Sequence, residues 1–185
     1  MAYILGFFVA DGTVNEITQT VSFAQKDPNI LLKIREEIGS NQPLYYNKKT
    51  NVHLLNLNSK ILKEDLMYIH GILPNKSRTI EFPKVPKEYL SHFIRGYFDG
   101  DGHIYPSRHY LCFVGGSKSF MNSLVNIFKE KGFKHKLIEV DKNYRLYITN
   151  TKSVLNFGNW IYQDKELYLA RKFDKFRLCP SKTIS

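Results

Sequence analysis

The sequence predicts an α+β protein built from two pseudo-symmetric αββαββα repeats. An apolar stretch that ends in Asp-Gly occurs twice, at 3–12 and at 93–102, and the two copies lie 90 residues apart. Alternating polar and apolar residues follow each copy and indicate strands, and segments with helical periodicity come next. Two such units give two four-stranded antiparallel sheets, each covered by helices on one face. Their other faces are expected to form one long saddle, with the two repeated helices packed at its centre.

Each repeated stretch is expected to be a helix that ends at Asp-Gly, because glycine is common just past a helix C-terminus. A glycine inside a helix loses about 1 kcal/mol relative to alanine. Both copies nevertheless contain one, and a small residue follows it four positions later. Small residues at this spacing share one helix face and let two backbones approach closely. The residues predicted at this interface are Gly6, Ala10, Gly96 and Gly100.

The last side chain of each repeated helix is a carboxylate, at Asp11 and at Asp101. A helix C-terminus is the negative end of the macrodipole and disfavours an anion. Two helices packed side by side would bring these carboxylates together, where they repel unless a cation lies with them. Mg²⁺ is a hard cation that prefers oxygen ligands and keeps several waters. A simple turn is the alternative explanation of one Asp-Gly, but two copies in register favour a metal site.

The remaining elements of the first repeat follow from its alternation and capping signals. An alternating stretch at 17–23 predicts a strand whose Val21 and Phe23 face the helices. Asp27-Pro28 has the order expected of a helix N-cap and first helical position, and Gly39 ends that helix. A second hairpin is predicted from strands at 43–46 and 52–57, followed by a helix at 59–69.

The segment 73–86 contains three prolines and is the predicted linker. The chain is therefore divided into a first repeat at 1–72, this linker, and a second repeat at 87–185. The second repeat has the same order of elements, so that Leu111 and Phe113 occupy the positions of Val21 and Phe23. Its predicted elements are strands near 104 and at 110–114, a helix at 117–132, strands at 133–140 and 144–149, and helices at 151–162 and 165–176.

Composition is compatible with a nucleic-acid partner, and a lysine-rich solvated surface is the alternative explanation of the charge. The net charge of +10 and the pI near 9.5 give a chain of 185 residues a potential that attracts polyanions. The two cysteines, Cys112 and Cys179, lack the spacing of a zinc site and argue against a disulfide framework, which suits a reducing intracellular compartment. The apolar run at 4–10 is too short to span a membrane, and the flanks of a secretion signal are missing. An intracellular protein that is neither secreted nor membrane-bound is expected.

The two stretches resemble the paired LAGLIDADG motifs of homing endonucleases in their single-chain form. Positions 4–12 and 94–102 match the nine motif positions, with Asp11 and Asp101 at the acidic eighth position. The sixth position is acidic only in the second copy, at Asp99, because Val9 replaces it in the first. The resemblance implies an intron-encoded, monomeric hydrolase that makes double-strand breaks in DNA at a long asymmetric site. It also implies Mg²⁺, or Mn²⁺ or Ca²⁺ in its place, held by Asp11 and Asp101.

The resemblance extends to catalytic support residues and to the DNA-binding surface. Gln25-Lys26, fourteen positions after Asp11, resembles a Gln-Lys pair of the family, whereas the second repeat has Gly115-Gly116 there. We expect one strand to be cut faster, or Lys118, Lys142 or Arg145 to substitute in the second repeat. Helix surfaces or phosphate flanks are expected for Lys76, Arg95, Arg171 and Lys172. His103 is expected to be a loop histidine, with a proton shuttle as the alternative. The residues predicted to contact DNA, from outward strand positions and hairpin tips, are Thr18, Thr20, Ser22, Lys48, Lys49, Arg108, Tyr110, Lys142, Arg145 and Tyr147.

Two other functions are compatible with a basic saddle. The chain could bind its own intron RNA as a maturase, or bind DNA as a regulator without cutting it. The acidic pair favours the endonuclease, because a pure binder gains nothing from carboxylates placed against phosphates. An inert interaction domain leaves both the charge and the acidic pair unexplained. An intein is not expected, because the ends lack its Cys or Ser nucleophile and its His-Asn pair.

Overall fold

A computed structural model describes residues 1–179 and shows the same order of elements in each half. None of the helices in these 179 residues has the length and apolarity needed to cross a bilayer. The first half contains α1 (Ala2–Asp11), β1 (Gly12–Val14), β2 (Thr20–Gln25), α2 (Pro28–Glu37), β3 (Leu44–Asn47), β4 (Val52–Asn58) and α3 (Lys60–Glu64). The second half contains α4 (Leu90–Asp101), β5 (Gly102–Tyr105), β6 (Tyr110–Gly115), α5 (Lys118–Glu130), β7 (His135–Val140), β8 (Asn143–Thr149), α6 (Thr151–Tyr162) and α7 (Ala170–Arg177).

Each half forms one four-stranded antiparallel sheet with helices on one face. The strand orders are β1-β2-β4-β3 and β5-β6-β8-β7, which are the same topology. Val21 and Phe23 of β2 are buried beneath the helices, as are Leu111 and Phe113 of β6. Alternate residues on these strands face away from the helices and form what we call the uncovered face of each sheet. The predicted α+β fold with two repeats is confirmed.

The helices α1 and α4 pack directly against each other at the centre of the molecule. A Cβ atom added to Gly6 would lie 2.0 Å from the Phe93 carbonyl oxygen, and one added to Gly96 would lie 2.0 Å from the Tyr3 carbonyl oxygen. A Cβ on Gly100 would come within 2.2 Å of the Ala10 Cβ. The backbones touch where side chains are absent, so the predicted packing of the two repeated helices is confirmed.

Strand β2 begins later than predicted. Residues 15–19 form a turn, and the long strand β2 begins only at Thr20. The Asn15 side chain accepts hydrogen bonds from the backbone N–H groups of Ile17, at 2.9 Å, and of Thr18, at 2.8 Å. Asn side chains that bond to nearby backbone in this way stabilise turns and compete with a strand ladder. The predicted strand position of Thr18 is therefore wrong, and Thr18 lies in an exposed turn.

Two further details of the helices also differ. The last helix was expected to begin at 165 but begins at Ala170, because the backbone N–H of Leu169 donates to the buried Asp99 carboxylate at 2.8 Å. Gly12 and Gly102, which follow α1 and α4, have extended backbones with φ of −94° and −80°. These glycines do not adopt the left-handed cap conformation. A Cβ at Gly12 would instead meet the Phe8 ring at 2.2 Å, so close packing excludes a side chain there.

Candidate active site and nucleic-acid interface

Asp11 and Asp101 end the two packed helices and form an acidic pair at one end of their interface. The Asp11 Oδ2 atom would lie 3.3 Å from a Cβ placed on Gly100, so the Asp11 carboxylate lies against the end of α4. Burial raises the pKa of Asp11 to about 6. Burial, followed by the charge of Asp11, raises the pKa of Asp101 to about 7. The two carboxylates therefore hold their negative charges at a cost, and a nearby cation stabilises them.

Two lysines cap the backbone beside this pair. Lys172 Nζ, on α7, donates to the carbonyl oxygens of Phe98, at 2.6 Å, and Gly100, at 3.1 Å. Lys76 Nζ donates to the carbonyl oxygen of Gly12. Carbonyl groups at a helix C-terminus have no partners within the helix, and both ammonium groups satisfy such groups at the ends of α1 and α4. The positive charges of Lys172 and Lys76 lower the pKa values of Asp11 and Asp101, opposing the effect of burial.

The surface positions expected for these lysines are wrong. Lys76 is 9% exposed and Lys172 is 4% exposed, and burial lowers the pKa of Lys172 to about 8. The sequence contains one signal that could have identified them. Lys76 follows the last helix of the first repeat and Lys172 lies on α7, the last helix of the second, and their separation of 96 residues is close to the 90-residue spacing of the two motifs.

Arg95 and Asp99 form a separate buried network that joins the helices. Arg95 is 2% exposed and donates to the carbonyl oxygens of Leu167 and Ile161, so its expected surface position is also wrong. The fully buried Asp99 accepts hydrogen bonds from the hydroxyl groups of Tyr3, at 2.9 Å, and Tyr162, at 3.1 Å. Burial raises the pKa of Asp99 to about 6. The acidic sixth motif position thus ties α1, α4 and α6 together.

Gln25 is a hydrogen-bond partner of Asp11. Its Nε2 atom donates to Asp11 Oδ2 at 2.9 Å. The Gln25 Oε1 atom in turn accepts from the backbone N–H of Lys26 at 2.8 Å, which fixes the orientation of the amide. The side chain of Lys26 is exposed. The structure therefore brings Gln25 to Asp11 and leaves Lys26 at the surface beside it.

The surroundings of Asp101 differ, because Gly115-Gly116 stands where the first repeat has Gln25-Lys26. A cleft of about 220 Å³ lies there, with Asp101, Lys76 and Asn143 in its wall. The three basic residues expected to substitute lie on exposed positions: Lys118 begins α5, Lys142 lies in the turn between β7 and β8, and Arg145 lies on β8. Lys76 is the cationic side chain that borders this cleft.

The oxygen atoms at this centre fit a hard divalent cation. Residues 1–179 contain no group of three or more His, Cys, Asp or Glu side chains suited to hold a metal ion. A metal bound by the acidic pair would take its other ligands from water and phosphate, which is the usual manner of Mg²⁺. Such an ion would relieve the repulsion by Asp11 that, after burial, raises the pKa of Asp101.

The residues predicted to contact DNA lie at the surface of both sheets. On the first sheet, Thr20 and Ser22 belong to the uncovered face, and the Ser22 hydroxyl donates to Asn56 at 2.7 Å. On the second sheet, Tyr110, Arg145 and Tyr147 belong to the uncovered face. The others lie in exposed turns, namely Thr18 between β1 and β2, Lys48 and Lys49 between β3 and β4, Arg108 between β5 and β6, and Lys142 between β7 and β8. His103 lies on the exposed face of β5, not in the expected loop, because its backbone pairs with Cys112.

Comparison with known proteins identifies the family. The family model described as a LAGLIDADG-like domain matches residues 1–69 and 88–161, and so covers both halves. The chain belongs to this LAGLIDADG-like family. Its resemblance to the paired motifs is therefore confirmed.

The curated relatives that the chain matches are longer proteins. The chain is 25% identical to a probable translation initiation factor of Methanocaldococcus jannaschii over 85% of its own length and 14% of that protein. It is 31% identical to a DNA-directed RNA polymerase subunit of the same organism, over 70% of the chain and 16% of the subunit. The chain thus spans less than a fifth of each relative.

Solved LAGLIDADG structures share the fold. The chain superposes on full-length WhiA from Thermatoga maritima with a TM-score of 0.66 and 17% identity, over 96% of this chain and 58% of that one. The homing endonuclease I-WcaI bound to its DNA gives a TM-score of 0.64 and 15% identity, over 95% and 84%. I-DmoI in complex with DNA and Mn gives 0.63 and 16%, over 89% and 97%.

Proposed function

We propose that this protein is a site-specific, divalent-metal-dependent endonuclease that cuts both strands of DNA. The observation that supports it most is the acidic pair, Asp11 and Asp101, held together at the ends of two packed helices despite their repulsion. Burying two neighbouring carboxylates costs stability, because each has a raised pKa. A catalytic role offsets that cost. The proposal is also supported by the fold shared with DNA-bound homing endonucleases.

In this proposal Asp11 and Asp101 would hold Mg²⁺, or Mn²⁺ or Ca²⁺ in its place, each carboxylate serving mainly one strand. I-DmoI structures containing Mn or Ca are consistent with a divalent ion here. A bound divalent ion supplies an activated water and stabilises the charge that develops on the leaving oxygen. Gln25 orients the Asp11 carboxylate through its hydrogen bond. Lys26, exposed beside Gln25, is proposed to act on the phosphate backbone.

Lys172 and Lys76 have two proposed roles. They hold the ends of α4 and α1 by bonding to backbone carbonyls, and they keep positive charge beside the scissile phosphates. Because their charges lower the pKa values of the acidic pair, they also favour the ionised form of both carboxylates. These proposed roles involve only the side chains of Lys172 and Lys76, which lie beside the acidic pair.

The proposed target is a long asymmetric duplex lying across both uncovered faces. Both halves belong to one chain, so a monomer can supply two cleavage centres. Hydroxyl, amide and guanidinium groups at these positions suit base edges and phosphates. An intron-encoded origin and an intracellular location with access to DNA are parts of the same proposal. The proposed contacts are Thr18, Thr20, Ser22, Lys48, Lys49, Arg108, Tyr110, Lys142, Arg145 and Tyr147.

A non-cleaving regulator or intron RNA maturase is the second candidate. Lys172 and Lys76 already provide positive charge beside the acidic pair, so the pair can persist without a metal. WhiA, which is not named an endonuclease, shares the fold as closely as the homing endonucleases do. The fold is therefore compatible with both functions.

Selection of a cleavable site separates these functions. The protein is incubated with a plasmid library of random inserts, in Mg²⁺ and in EDTA, and linear products are sequenced. We expect linear product in Mg²⁺ only, and its loss in Asp11→Asn and Asp101→Asn. Asp65→Asn, which changes an exposed carboxylate of the first repeat, is the matched control and should cut normally. Tight binding to DNA without any cut in Mg²⁺, Mn²⁺ or Ca²⁺ would contradict the proposal and favour the regulator or maturase.

A further inference from the structure

A cluster of tyrosine rings lies on the uncovered face of the second sheet. Tyr105 and Tyr110 are cross-strand partners on β5 and β6, and their rings stack with centroids 4.6 Å apart. The Tyr147 ring on β8 meets Tyr110 edge-on, with centroids 5.8 Å apart. Tyr105 is 41% exposed at the outer end of this row. We call Tyr105, Tyr110 and Tyr147 the tyrosine row.

Cationic side chains flank the tyrosine row. Arg108 lies three positions after Tyr105, in the turn that leads to β6, and Lys136 on β7 pairs with Tyr147 across the strands. Arg145 precedes Tyr147 by two positions and therefore shares its face. All three cations are exposed, and the ion pair found within residues 1–179 joins other residues, Lys60 and Glu64. The row thus lies among positive charges free to meet phosphates.

The first sheet has different chemistry at the corresponding positions. Its uncovered face presents Thr20 and Ser22 on β2, opposite Asn58 and Asn56 on β4. These groups are small hydrogen-bonding side chains, suited to the edges of paired bases. Aromatic rings gain most from the flat faces of bases, and in a duplex those faces are covered by the neighbouring base pairs. Base faces are available to a tyrosine only where the bases are unpaired.

We propose that the uncovered face of the second sheet binds a single strand of nucleic acid, with an unpaired base stacked on the free face of Tyr105. The base extends the stack that Tyr105 and Tyr110 begin. Arg108, Lys136 and Arg145 contact the phosphates on either side. The chemistry recognised, an unpaired base next to phosphates, is common to DNA and RNA strands. The single strand occupies part of the face proposed above for the duplex, so the two ligands compete for it, and single-strand binding does not require the acidic pair.

Fluorescence anisotropy in EDTA tests the proposal. The ligands are fluorescein-labelled 12-mers of deoxythymidine and of uridine, with a hairpin duplex of equal phosphate number as the comparison. We expect the single strands to bind more tightly than the duplex. Tyr105→Ala should weaken single-strand binding about tenfold, as loss of one stacked base does. Tyr105→Phe keeps the ring and should stay within about twofold of wild type, since stacking uses the ring face.

Tyr45→Ala is the matched control. Tyr45 is an exposed tyrosine on the uncovered face of the first sheet, 53% exposed, and should not affect single-strand binding. Binding of either 12-mer supports the proposal, and the tighter one identifies the natural strand. Equal losses in Tyr105→Ala and Tyr45→Ala, or a loss confined to the duplex, would overturn it. Because EDTA is present, this result is independent of whether the protein cleaves DNA.

Discussion

The two halves share one backbone plan but surround their carboxylates differently. Asp11 accepts a hydrogen bond from Gln25, whose own orientation is fixed by the next backbone N–H. Asp101 borders a cleft where Gly115-Gly116 offers no side chain. Both repeats therefore contain the interface helix and its terminal carboxylate, whereas the side chains around the two carboxylates differ.

The two halves share one further feature, a buried lysine that bonds to a backbone carbonyl. Lys76 donates to the Gly12 carbonyl at the end of α1, and Lys172 donates to the Phe98 carbonyl near the end of α4. Each helix end thus has a lysine beside its carboxylate, although the two lysines come from different elements, whereas only Asp11 has a side chain that orients it. Three substitutions test this division, beginning with the lysines.

Lys172→Met should have the largest effect on the pair, because it removes positive charge from beside both carboxylates. The charge of Lys172 lowers the pKa values of Asp11 and Asp101, so its loss raises them above about 6 and 7. Cation binding needs ionised carboxylates, and the rise of cleavage rate with pH should therefore shift to higher pH. At pH 7 the rate should fall by on the order of 100-fold. The measurement is a pH–rate profile of plasmid linearisation.

Lys63→Met is the control for this variant. Lys63 is also buried and also donates to a backbone carbonyl, that of Thr18 at 2.7 Å. Its loss should reduce the melting temperature while leaving the pH profile in place. An unshifted profile for Lys172→Met would show that the lysine is only structural.

Gln25→Ala should slow the cleavage of one DNA strand and leave the cleavage of the other unchanged. Because Gln25 bonds to Asp11, the strand served by Asp11 should be cut about tenfold more slowly, within the range of a positioning effect. The strand served by Asp101 should keep its rate, and the difference between the strands should change. Denaturing gels of a duplex labelled on each strand give both rates, with Gln42→Ala, an exposed loop glutamine, as the control. Equal slowing of both strands would contradict the assignment.

Asp101→Asn should raise stability at high pH and leave it unchanged at low pH. The folded-state pKa of Asp101 is about 7 against an ordinary 3.8, so the native state loses stability as pH rises between these values. Removing the carboxylate relieves that loss. Calorimetry in EDTA should show a melting temperature higher by on the order of 5 °C at pH 8, and no difference near pH 4. Addition of Mg²⁺ should stabilise the wild type more than the variant at pH 8.

The repeat architecture was predictable because it is written in local patterns. The spacing of Gly6 and Ala10, and of Gly96 and Gly100, marks the helix interface, and alternation of apolar residues marks the strands. Strand β2 was predicted to begin too early because the alternation of polar and apolar residues begins before Thr20. The Asn15 side chain accepts hydrogen bonds from the backbone and stabilises a turn there instead. Local competition of this kind is invisible to periodicity alone.

The roles of Lys76 and Lys172 were not predictable from local pattern. Their partners are backbone carbonyls 64 and 74 residues away, at Gly12 and Phe98. Helical periodicity assigns a lysine to a solvated surface, which is the correct expectation for most lysines. The late start of α7 has the same origin, because Asp99 captures the Leu169 N–H across 70 residues. Contacts between segments that are distant in sequence therefore determine both the positions of these lysines and the start of α7.

Measuring the cleavage of each DNA strand separately decides whether each carboxylate serves one strand. Both carboxylates are proposed to belong to one metal-dependent site. A duplex carrying the selected target, with a different label on each strand, is incubated in Mg²⁺ with wild type, Asp11→Asn or Asp101→Asn. We expect wild type to cut both strands, each variant to slow mainly the strand that its missing carboxylate serves, and the two variants to affect opposite strands. Retention of full cutting of both strands in either variant would contradict it.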